Sequence, residues 1–144
     1  MEVRVDEQAL DFRIPSDVQY IEGIVQQVVR RCEVHAFPRR HLALNVPVAL
    51  TEALSNAILR GNLDDAARSV HVHAEVDSSR LVLEVRDEGQ GFDLDACTAD
   101  PTTPDHLMLE DGRGLFLMRR LMDHVERFSD GGNVVRLILL RGVA

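Results

Sequence analysis

The chain has 144 residues, 45% hydrophobic and 28% charged, a balance ordinary for a globular domain with one core. Its formal net charge of −8 excludes the basic face that duplex phosphates require, so no direct nucleic-acid binding is expected, and it suits a basic protein partner instead. All sixteen basic residues are arginine. Without lysine there is no P-loop lysine, no protein-kinase strand lysine and no Schiff-base amine, so phosphate handling must rest on arginine, backbone amides and a metal.

No run of 18 apolar residues marks a membrane span, and the first eleven residues, with four acids, are unlike a signal peptide. The expectation is a cytoplasmic protein without a membrane anchor. Cys32 and Cys97 lack Cys-x-x-Cys spacing and read as free thiols. In chain order, residues 1–12 alternate weakly and predict an edge strand with a turn. Ser16 is a candidate N-cap for a helix over 17–33, whose Val18, Ile21, Ile24, Val25, Val28 and Val29 recur at helical spacing. A second helix runs from Arg39 to a stop at Gly61, with a kink or restart at Pro47. Strands over 70–76 and 81–86 flank Asp77-Ser78-Ser79 as a hairpin. Residues 93–111 hold two prolines and no periodicity, predicting a loop of a length that is usually functional. A third helix over 115–125 and, after Asp130-Gly131-Gly132, a strand over 134–140 complete the set. The inventory predicts one domain over 1–144, an α/β two-layer sandwich of three helices on a mixed, mostly antiparallel sheet.

Three segments carry candidate chemistry. Glu52 and Asn56 are four apart and project from one helix face on successive turns. A carboxamide oxygen is a hard neutral ligand suited to Mg²⁺ beside water and phosphates, and a neighbouring carboxylate can take a proton from an attacking hydroxyl. A solvated polar face accounts for the pair equally well. At the end of the second hairpin strand, Asp87 precedes Gly89 and Gly91. An ionised carboxylate only accepts, so it suits the exocyclic amine of adenine and rejects the keto group of guanine, and glycines admit a flat base close to the backbone; a plain Asp-Gly turn is the competing explanation. Gly112-Arg113-Gly114 precedes the Leu115 helix, where backbone N–H groups form an anion site and Arg113 adds a guanidinium fork, unless the glycines mark only a loop-to-helix transition.

The order of these boxes resembles the nucleotide-binding boxes of the gyrase, Hsp90, histidine-kinase and MutL superfamily. Thr51-Glu52-Ala53-Leu54-Ser55-Asn56-Ala57, with Gly114-Leu115-Phe116-Leu117-Met118 and Leu121-Met122-Asp123, resembles in particular the anti-sigma-factor serine/threonine kinases of the RsbW type. The resemblance implies a Bergerat ATP-binding fold with ATP and Mg²⁺ as cofactors. It implies Glu52 as the base, Asn56 as the magnesium ligand, Asp87 with Gly89 and Gly91 at the adenine, and Gly112, Arg113, Gly114, Leu115 and Phe116 with the preceding loop as the phosphate lid. It further implies a homodimer that sequesters a sigma factor and phosphorylates an anti-anti-sigma protein of the STAS type. A non-catalytic binding module on the same fold is the alternative; the joint presence of Glu52 and Asn56 favours catalysis, because a pure binder needs neither. Two positions depart from the pattern: Arg60 stands where relatives carry a histidine, and Asn133 where they carry an adenine-side threonine. His71 and His73 share a strand face without a third ligand, so no metal site is expected there.

Overall fold

The computed structural model describes residues 1–5, 9–89 and 106–142, with 106–113 by backbone alone. Six strands, β1 (Glu2–Val5), β2 (Ala9–Pro15), β3 (Ser69–Val76), β4 (Arg80–Arg86), β5 (His124–Ser129) and β6 (Asn133–Leu140), form one sheet in the order β1-β2-β3-β4-β6-β5. Helices α1 (Ile21–Val34), α2 (His41–Gly61) and α3 (His106–Leu121) form the second layer, with α2 packed against both others. The expected two-layer α/β sandwich is therefore what the chain builds. Where a mixed sheet was expected, every described ladder is antiparallel. β4 and β5 run in the same direction, but β6 lies between them and pairs with both.

Alternation decides which face of the sheet is buried. In β3 and β4, Val70, Val72, Ala74 and Val76, with Leu81, Leu83 and Val85, point into the core, and the intervening residues point out. From above, α2 contributes Val46, Ala49, Leu50, Ala53, Leu54, Ala57 and Ile58. This helix is long and apolar enough to cross a membrane by length and composition, yet one face of it is committed to the core, with Leu44 and Leu59 exposed on the other side. Leu54 and Leu83 are fully buried, and truncating either to alanine should cost about 2–5 kcal/mol. Cys32 is buried in α1, and burial pushes its thiol up to about 12, which makes it an inert core residue; Cys97 lies outside the described residues.

The outer face stays polar by pairing with itself. Arg4, Asp11, His73, Glu84, Arg136 and Glu126 stand opposite one another in register, one per strand, and alternate in sign across the whole sheet. His73 Nδ1 lies 2.6 Å from Asp11, and Arg136 bridges Glu84 at 3.5 Å and Glu126 at 3.1 Å. Such cross-strand pairs contribute roughly 0.2–1 kcal/mol each. Partial burial pulls the His73 pKa down, but the hydrogen bonds and charges of Glu75 and Asp11 outweigh it, and the net shift is upward.

Three local expectations change, and a fourth, the restart at Pro47, holds. The N-terminal strand is a hairpin of β1 and β2. The cap of the first helical turn, Val18–Tyr20, is Asp17, which accepts from the Gln19 N–H at 3.0 Å; Ser16 is buried and donates its hydroxyl to the Arg68 carbonyl at 2.8 Å. Val125 belongs to β5, a strand hidden in the sequence because charged residues fall on both of its faces, Glu126 in the outer row and Arg127 on the inner side. Pro47 follows a turn of π-helix, His41–Asn45, closed by the Val46 N–H to the His41 carbonyl. The wider turn relieves the clash and the lost hydrogen bond that proline imposes inside an α-helix.

Candidate functional site

Asp87 follows β4 directly and is 5% exposed. Its Oδ1 accepts from the Gly89 N–H at 2.8 Å and from the Asn133 N–H and side-chain amide at 3.2 and 3.3 Å. The Asp87 N–H in turn donates to the Asn133 carbonyl at 3.0 Å, so the start of β6 holds both the backbone and the side chain of Asp87. Glycines close the rest of the shell. A Cβ on Gly61 would stand 1.9 Å from Asp87 Oδ2, one on Gly89 1.9 Å from the Gly61 carbonyl oxygen, and one on Gly132 2.0 Å from the Asp87 carbonyl oxygen. Gly132 also has φ +153°, a conformation that favours glycine. A side chain at Gly89 would thus run first into the C-terminal end of α2. Gly91 lies outside the described residues.

Glu52 and Asn56 occupy the same face of α2, as their spacing requires, and both are half-buried. The third box reaches them by an unexpected route. Gly112, Arg113 and Gly114 lie inside α3, which begins at His106, so the expected turn and helix start are not there. Leu107, Met108, Leu109 and Glu110 are strong helix formers and carry the helix across two glycines that each cost about 1 kcal/mol. For the same reason residues 106–111 of the expected loop are helix, while 90–105 lie outside the described residues. Gly114 is buried against the α2 face: a Cβ there would stand 3.1 Å from Glu52 Oε2 and 3.3 Å from Asn56 Nδ2. Leu115 is in the core and Phe116 is 61% exposed, with Arg120 over its ring.

Glu52 lies one turn before Asn56 on the same helix face, and Asp87 and Asn56 line one cleft between α2 and the sheet. Ala53 and Ala57 form its wall on α2, Val85 and Val135 its wall on the sheet, and Asn56 with Asp87 and Asn133 its polar points. Arg60 and Arg127 complete the lining. Apolar walls with one convergent, acceptor-only carboxylate fit a flat base carrying an amine. The half-buried carboxylate and carboxamide on one helix face supply oxygen donors for a hard cation shared with phosphates.

Sequence reasoning named Glu52, Asn56 and Asp87 as candidates and passed over four residues in or beside the cleft. Gly61 was visible only as a helix stop and Gly132 only as a turn residue, whereas both are in contact with Asp87. Arg127 lies on β5, which the sequence hides, and Asn62 carried no signal. Asn133, a departure from the family pattern, is a direct partner of Asp87.

An antiparallel sandwich with a glycine-enclosed carboxylate under a helix bearing a carboxylate and an amide defines a nucleotide-binding class. The family model of the histidine kinase-like ATPase domain matches residues 14–139. The serine-protein kinase RsbW of Bacillus velezensis is 31% identical over 133 residues, covering 89% of this chain and 82% of that protein. The anti-sigma F factor of Halalkalibacterium halodurans is 29% identical over 86 residues, 59% of each chain. The crystal structure of the RsbU and RsbW domains of Rv1364c from Mycobacterium tuberculosis superposes with a TM-score of 0.66 at 16% identity, over 95% of this chain and 33% of that one, a likeness of fold. The chain belongs to the histidine kinase-like ATPase family, on its RsbW-type anti-sigma-factor branch.

Proposed function

We propose that residues 1–144 act as one ATP-dependent serine/threonine kinase domain and anti-sigma factor in the cytoplasm, which binds a sigma factor and phosphorylates an anti-anti-sigma protein of the STAS type. The observation that carries the reading is the cleft between a buried, acceptor-only Asp87 and Asn56, with Glu52 beside Asn56 on the same helix face. Asp87 takes the hydrogen bond of the adenine amine, and the four small or branched apolar residues clasp the base. Asn56 would hold Mg²⁺ together with the phosphates, which neutralises phosphate charge when bound. Glu52 accepts the proton of a serine hydroxyl as its oxygen bonds to the γ-phosphorus and ADP leaves. Arg60 and Arg127, on the cleft lining, supply the positive charge that a lysine-free chain has to draw from arginine.

Glu52→Gln tests the catalytic half of this reading. The change is nearly isosteric and leaves Asn56 in place, so ATP affinity by calorimetry should hold while phosphorylation of a co-purified anti-anti-sigma partner falls by about 10²–10⁴-fold. Equal labelling by both proteins removes Glu52 as the base. A wild-type protein that holds its partner tightly and labels nothing is a binding module.

A further inference from the structure

The carboxylate that would read the base and the helix that would serve the phosphates belong to different layers, and one side chain spans them. Asn62, the residue after α2, is fully buried. Its Oδ1 accepts from the Glu88 N–H at 2.8 Å, and its Nδ2 donates to the Ser69 carbonyl at 2.9 Å and to Ser16 Oγ at 2.8 Å. The Ser69 N–H donates back to Glu88 Oε2 at 2.9 Å. Asn62, Ser69 and Glu88 therefore form a closed ring of three hydrogen bonds. Glu88 adjoins Asp87, and Gly61, adjoining Asn62, is the glycine pressed against the Asp87 carboxylate.

We infer that Asn62 is a positioning residue: with Glu88 it locks the Asp87 corner to the C-terminal end of α2, and so fixes the base-reading carboxylate relative to Glu52 and Asn56. The inference rests on the nucleotide reading above and adds Asn62, which none of its motifs contains. A residue that only filled the core would not need this amide. Burying a carboxamide is costly unless its hydrogen bonds are made, and a hydrocarbon of the same volume would fill the space. Of the bonds Asn62 makes, the one to Glu88 leads to the site, and those to Ser16 and Ser69 anchor the amide to the ends of β2 and β3.

The ratio of ATP to inosine triphosphate affinity, measured by calorimetry, separates positioning from stability, because the two nucleotides differ at the base group that faces Asp87. Asn62→Leu removes all three bonds at similar volume and should reduce the ratio by about 3–10-fold, as expected for one unmade hydrogen bond at the corner. Asn62→Asp keeps the acceptor for the Glu88 N–H and should retain most of the ratio while melting lower. Ser16→Ala removes one of the two anchors of the amide together with the hydroxyl's own bond to the Arg68 carbonyl, and should lower the melting temperature with an unchanged ratio. Glu88 is exposed, so Glu88→Ala folds and should reduce the ratio about 2–3-fold. An unchanged ratio in Asn62→Leu, or in Asn62→Ala should the leucine variant not fold, overturns the inference. A wild-type protein that binds neither nucleotide, or both equally, instead overturns the nucleotide reading beneath it.

Discussion

The two ends of the cleft are built on opposite plans. At the Asp87 end three glycines, Asn133 and the Asn62–Glu88 ring leave the carboxylate no freedom. At the other end Glu52 and Asn56 are half-buried, and among the described residues no side-chain hydrogen bond holds either of them. A base is the same flat object before and after phosphoryl transfer, so a rigid acceptor suits it. On the kinase reading proposed above, the Glu52 end would have to accommodate a cation, an incoming hydroxyl and a leaving group, and side chains that can reorient would suit each.

The harshest way to break this contrast is Gly61→Ala. The new methyl would sit within bonding distance of a buried, triply hydrogen-bonded carboxylate, so Asp87 has to move; ATP binding should be lost in calorimetry, and stability should fall by about 1–3 kcal/mol in denaturant melts. Asp87→Asn is the subtler attack on the same end. Its Oδ1 can keep the three protein donors while an N–H replaces the free acceptor, so ATP should weaken by about 1.5–3 kcal/mol and inosine triphosphate by much less. Equal losses for the two nucleotides would remove Asp87 from the base.

Gly114→Ala probes the looser end. Neighbours at 3.1 and 3.3 Å need give only a few tenths of an ångström, and alanine favours the helix by about 1 kcal/mol. The variant should melt slightly higher, keep its ATP affinity within about threefold and transfer phosphate more slowly; a collapse in affinity would show that this end is as rigid as the other. The smallest effect belongs to the outer face, remote from both ends. The His73 pKa is raised in the fold by Glu75 and Asp11, which outweigh burial, so its stabilisation is full below the ordinary value of 6.5 and is lost as pH rises through the higher folded value. His73→Gln should flatten the stability profile in that window and leave nucleotide binding unchanged.

Helical spacing in the sequence put Glu52 and Asn56 on one face, alternation gave the buried side of β3 and β4, and a carboxylate followed by glycines marked Asp87 as a strand-end acceptor. These are local properties, set by backbone geometry over a few residues. The absence of lysine, likewise legible at once, left phosphate chemistry to arginine. What the sequence could not decide is what touches what across the layers. Gly61 read as a helix stop because its neighbour Asp87 is 26 residues away, Asn62 looked like any loop amide until three segments closed around it, and β5 was invisible because it carries charge on both faces and is held by its pairing with β6. The Gly112–Gly114 turn failed for the complementary reason: two glycines predict a break, but the helix formers before them and the α2 face that Gly114 fits against make one continuous helix. Local sequence determined the chemical groups of this protein, and long-range packing, which no window of residues contains, decided which end of its cleft is fixed and which is free.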